Sequence, residues 1–171
     1  MKKLLAGILI SIMVLGLVGC SKSDNKDTKN EETETETQTQ TKNNTESSDT
    51  LGNTLVAIFE EEISKSNDIE TIANRMVSVP KFMCGATKVE EGSLTGFSKE
   101  VTGFRKAYKV SSTINTIPFV AYIFETDDPD ALQKTLTTLA NPRWNICTRA
   151  EETVIKVHEK YVFFAMCPGK E

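Results

Sequence analysis

Thirty consecutive residues, Ser21 to Thr50 (SKSDNKDTKNEETETETQTQTKNNTESSDT), contain no aliphatic or aromatic side chain. Such a segment has no apolar surface to bury and cannot offset the entropy of ordering, so it is expected to be a disordered linker. Its alternating Glu-Thr and Gln-Thr pairs are rich in threonine, yet a strand without an apolar face has nothing to pack against. As a coil the tract spans roughly 30 Å. Long apolar runs are missing too. Leu4 to Val18 has no charge but only 15 residues, short of the about 20 that a helix needs to cross a bilayer.

An excess of positive charge is also absent. In residues 51–171, 14 Lys and Arg stand against 16 Asp and Glu, which gives no electrostatic case for nucleic-acid binding. There is one histidine, His158, and four cysteines, Cys20, Cys84, Cys147 and Cys167. No C-x-x-C is present, so a thioredoxin-like dithiol has no support. Neither a glycine-rich phosphate loop nor a Gly-x-Ser-x-Gly elbow occurs. Three thiols and one imidazole match zinc by count, but their spacings fit no usual site. The acidic run Glu125, Asp127, Asp128, Asp130 lacks the central Gly and terminal Glu of a calcium loop and reads as helix capping. No metal, cofactor or catalytic residue is expected.

What is present begins at the amino terminus. Lys2 and Lys3 precede the short apolar stretch, which ends Leu17-Val18-Gly19-Cys20 just before the polar tract. The order of charge, apolar region and junction fits an export signal, and the last four residues resemble the lipobox of bacterial lipoproteins. The resemblance implies that residues 1–19 are a signal peptide. The Cys20 thiol would receive a diacylglyceryl group, cleavage would make Cys20 the first residue, and a third acyl chain would often cap its amine. Two chains are enough for stable anchoring, without a transmembrane helix. Position 21 is Ser rather than the Asp that retains some lipoproteins on inner membranes. With its Lys/Asn/Thr/Glu-rich linker, the start resembles lipoproteins of low-GC Gram-positive bacteria. The expected location is the extracytoplasmic face of the cell membrane, where disulfides can persist.

The organisation is thus a signal at 1–19, a lipidated cysteine and linker at 20–50, and one domain at 51–171, near the commonest domain size. In the domain, Leu55, Ile58, Phe59 and Ile63 follow helical spacing, with Asn53 or Thr54 as N-cap. A second helix is expected after Asp68, with Ile69, Ile72, Ala73 and Met76 as its stripe and Val79-Pro80 as its stop. Phe82 to Val89 reads as a strand. Next, Thr95-Gly96-Phe97-Ser98-Lys99 is echoed by Thr102-Gly103-Phe104-Arg105-Lys106; the region reads as turns or a frayed helix, and chance explains the echo. A strand is expected around Tyr108 to Thr113, and another at Ile117 to Glu125. Asp128 and Pro129 start a third helix with Leu132, Leu136 and Leu139 buried. Glu152 to His158 and Tyr161 to Cys167 form a final hairpin around Glu159-Lys160. The fold class is α+β, a mostly antiparallel sheet with helices packed on one face. This layout, with its final YVFFAMCP strand, resembles small lipoprotein domains of unknown function from Gram-positive bacteria, and it carries no activity with it.

In that hairpin Cys167 would face Glu152, with Cys147 five residues upstream. Cys147–Cys167 is the favoured disulfide, ahead of a pair with Cys84 or no disulfide at all. The stretch NPRWNICTR, Asn141 to Arg149, places the single tryptophan on a loop. Arg143, Trp144 and Asn145 form a candidate binding loop, against the alternative that Trp144 folds back on the core. Lys99, Arg105, Lys106 and Lys109 could face an anionic polymer or read as a solvated surface. The expected function is non-catalytic binding to a cell-wall polymer or another envelope protein. The alternative is a small hydrolase or thiol enzyme using Cys84 or Cys147 with His158.

Overall fold

The computed structural model describes residues 50–169; the expected signal, Cys20 and the linker up to residue 49 lie outside them. The elements in chain order are α1 (Leu51–Lys65), α2 (Ile69–Met76), β1 (Cys84–Val89), β2 (Lys106–Ser112), β3 (Val120–Glu125), α3 (Pro129–Leu139), β4 (Glu152–His158) and β5 (Tyr161–Cys167). Helix α1 starts earlier than its apolar spacing suggested. Its N-cap is Thr50, whose side chain accepts from Asn53 N, so Leu51 joins the buried stripe of Leu55, Phe59 and Ile63. Asp68 caps α2, accepting from Glu70 N, and Asp128 caps α3, accepting from Ala131 N, with Pro129 in the first turn.

All five strands are antiparallel in the order β1-β2-β3-β5-β4. Chain order and spatial order part company once: the α3 crossover carries the chain from β3 past the position of β5 to the edge, and β5 turns back into the gap. The hairpin has the expected register, His158 opposite Tyr161 and Glu152 opposite Cys167.

The sheet has two covered faces. On one, α1 and α2 pack over Tyr108, Val110, Ile123, Phe163 and Ala165, with Phe59 stacked on Phe163 at 5.3 Å. On the other, Leu132 and Leu136 of α3 lie over Val162, Phe164 and Met166, while Leu94, Phe97, Val101 and Phe104 complete the layer. The expectation of helices on one face is therefore corrected: α1 and α2 lie on one side and α3 on the other. Tyr161 to Cys167 explains why. Successive strand residues point to opposite faces, and all seven are buried. A strand with no polar face needs cover on both sides.

The turns between β1 and β2 supply part of that cover. Gly96 and Gly103 take φ of 93° and 92°, and both following phenylalanines join the α3 face. The T-G-F echo is thus a repeated turn conformation as well as a repeated string. Thr126, the buried polar side chain of the core, donates to Gly103 O at 2.5 Å and accepts from Asp128 N at 3.2 Å. It joins the second turn to the start of α3.

Candidate interaction surface

One end of the sheet gathers the features the sequence singled out. Cys84 begins β1 opposite Ser112 at the end of β2; Val120 begins β3 opposite Met166, and Glu152 begins β4 opposite Cys167. The amino end of α1 sits at this end too, because Gly52 N donates to Glu152 Oε2 at 3.1 Å. The chain preceding Thr50 therefore joins the domain here, at what we call the entry end.

Three irregular segments form the outer surface of that end. Thr113 donates through its backbone N to Met83 O at 3.0 Å, linking residues 77–83 to the β2–β3 connection. Asn145 Nδ2 donates to Asn115 O, and Thr148 Oγ1 donates to Thr116 O at 3.1 Å, linking that connection to the α3–β4 loop. The loop is held internally as well: Arg143 N donates to Asn141 Oδ1 at 3.1 Å, and Ala150 N donates to Pro142 O at 2.9 Å.

Within the expected binding loop, the three side chains part ways. Arg143 is exposed. Trp144 packs half-buried against the α3-side core, so it covers the core edge rather than offering a free ring. Asn145 bridges loops. The side chain that stands out is its neighbour Ile146, 100% exposed, with Arg149 also exposed. Met83 at 69% and Ile114 at 41% are the other exposed large hydrophobics among the described residues, and both lie at the same end. Sequence reasoning passed over all three. Ile146 did leave a signal, a lone β-branched residue between Asn145 and Cys147 without a periodic apolar partner. Two depressions open between these side chains, one of about 490 Å³ lined by Arg143, Ile146, Cys147 and Arg149, the other of about 650 Å³ lined by Pro80, Phe82, Met83 and Cys84.

The favoured disulfide is corrected. Cys147 and Cys167 are not bonded. Cys167 is wholly buried, facing α1, with its Sγ 3.7 Å from Glu152 Oε2, whereas Cys147 is exposed on the loop. Register placed their backbones at one end of the sheet, but the Cys167 side chain points inward from the strand. The thiol–imidazole pairing is not assembled either. Cys84 and Cys147 are at the entry end; His158 closes β4 at the far end, about 20 Å along the strand at 3.3 Å per residue.

The acidic run at the far end is accounted for by protein contacts. Lys160 Nζ lies 2.6 Å from Glu125, Arg105 Nε donates to Asp127 at 2.7 Å, and Asp128 caps α3. Among the described residues no group of three or more His, Cys, Asp or Glu is placed to hold a metal ion. The expected basic cluster is dispersed: Arg105 pairs with Asp127, Lys106 with Asp68, and Lys109 is on the α3 face of β2. No family model, curated protein or solved structure matches the chain.

Proposed function

We propose that the chain is a lipid-anchored protein on the extracytoplasmic face of a Gram-positive cell membrane, whose domain acts by non-catalytic contact with an envelope component. One observation carries the reading: Cys20 stands at the junction of a 15-residue uncharged apolar run and 30 polar residues, in a Leu-Val-Gly-Cys setting. Two acyl chains on that cysteine provide the two signals that stable anchoring takes. The separation of His158 from the thiols supports contact over cysteine–histidine catalysis, because a nucleophile and its base must lie within hydrogen-bond reach.

Intact-mass analysis of the protein from its host's membranes tests the anchor. The expected product begins at Cys20 and carries the added mass of its acyl chains, and Cys20→Ala abolishes the modification. A product with residue 20 bare overturns the proposal. Host complementation tests the non-catalytic part: His158→Ala, Cys84→Ser and Cys147→Ser are expected to retain the phenotype. Loss of function by stably folded His158→Ala would instead favour the enzyme.

A further inference from the structure

Every exposed large hydrophobic side chain among the described residues, Met83, Ile114 and Ile146, lies at the entry end of the domain. Placement at one end is unlike scattered surface apolar residues, which are ordinary. Cations share the surface. Arg143 and Arg149, both exposed, flank Ile146 and enter no ion pair among the described residues. At the far end the charges are engaged with one another: Arg105 with Asp127, Lys106 with Asp68, Lys160 with Glu125. Of the carboxylates at the entry end, Glu152 is half-buried and accepts from Gly52 N at 3.1 Å, and Glu151, exposed, accepts from Gly169 N at 3.2 Å.

We propose that the entry end is a membrane-docking face, on which Met83, Ile114 and Ile146 insert into the interface of an anionic bilayer while Arg143 and Arg149 meet its headgroups. The proposal rests on acylation of Cys20, and it names the bilayer itself as the envelope component touched. Two features select this occupant. The chain outside the described residues joins the domain at Thr50, on this very face, so an acylated Cys20 brings the bilayer to it. Apolar tips that share one end with Arg143 and Arg149 complement an anionic interface, where each Lys or Arg near the surface strengthens binding. A tether of this length holds its two ends at an effective concentration near millimolar. Even weak affinity then suffices to seat the domain.

The face is testable without the acyl chains. The buried hydrophobics among the described residues lie between Leu51 and Cys167, and the chain from residue 20 contains all of them. That chain, with Cys20→Ser, is co-sedimented with vesicles of phosphatidylglycerol and, separately, of phosphatidylcholine. Binding to the anionic vesicles is expected to be at least about ten-fold tighter and to weaken as salt rises. Arg143→Gln and Arg149→Gln should each weaken it about five-fold. Ile146→Ser should weaken it several-fold at unchanged charge; the side chain is wholly exposed, so the thermal midpoint should hold. Lys160→Gln, at the far end, should change nothing. No preference for phosphatidylglycerol at millimolar lipid overturns the docking face, as does an equal loss with Lys160→Gln and Arg143→Gln. Either result leaves the anchor standing, since acylation is read separately from the mass of the native product.

Discussion

Gly96 and Gly103 hold nearly the same positive φ, 93° and 92°, in surroundings that differ. A Cβ on Gly103 would meet nothing within 4 Å, whereas one on Gly96 would come to 2.6 Å from Met166 Cε and 3.0 Å from Val120 Cγ1. Gly103→Ala should therefore cost only the left-handed backbone strain, about 1–2 kcal/mol. Gly96→Ala should add overpacking of about 1–3 kcal/mol, because the atoms it would meet belong to fully buried side chains. Urea unfolding of the two variants measures the difference directly. Tyr108 gives a second residue-level test. Its phenol donates to Glu70 Oε2 at 2.5 Å, and this bond, aided by burial and the carboxylates of Glu70 and Asp68, pushes its pKa up to about 12. A folded pKa above the ordinary value of about 10 means the contact stabilises fully below pH 10 and fades as pH rises through 12. The thermal midpoint of Tyr108→Phe should lie below that of the parent at pH 8, and the gap should close between pH 10 and 12.

At the scale of elements, the hairpin β4–β5 was legible to the residue, because a two-residue turn fixes register once both strands show themselves. Glu159 was the surprise, the one non-glycine with positive φ among the described residues, at 51°. An L-residue there is strained, while glycine pays less sterically and more in unfolded entropy. Glu159→Gly should raise stability by about 0.5–1 kcal/mol, read as a higher urea midpoint with an unchanged slope. The caps Asp68 and Asp128 were equally legible, Asp68 by standing directly before Ile69 and Asp128 by standing before a proline that opens the helix. Thr50 was not, because Gly52 and Asn53 inside the first turn mimic a loop. The second covered face was written in YVFFAMC, which lacks polar alternate positions. Its cover, however, comes partly from turns at residues 94–104 that show no period. The candidate surface was half legible: Arg143 drew notice by its neighbour Trp144, yet the ring turned to the core and Ile146 turned out. No local pattern decides which of two apolar side chains two residues apart a pinned loop buries.

For the whole molecule, the two core clusters run from Leu51 to Cys167, and the polar tract at 21–50 has no side chain that could extend either. Its contribution to folding should thus be confined to its last residue. Thr50 Oγ1 accepts from Asn53 N at 3.3 Å and its carbonyl accepts from Thr54 N at 3.0 Å. Losing such a cap costs about 1 kcal/mol. Deleting residues 21–43 should leave the urea midpoint of the chain from residue 20 unchanged within about 0.3 kcal/mol, within the usual reach of a surface change. Thr50→Ala in the same background should lower stability by about 1 kcal/mol. Equal loss from the deletion would mean that the polar tract packs on the domain, which its composition forbids by supplying nothing apolar to bury. In vesicle binding the ranking should reverse for the lipidated protein. Shortening the tract shifts the domain's effective concentration at the bilayer, because that concentration depends on tether length, while Thr50→Ala, a change of stability alone, leaves the docked fraction of folded protein where it was.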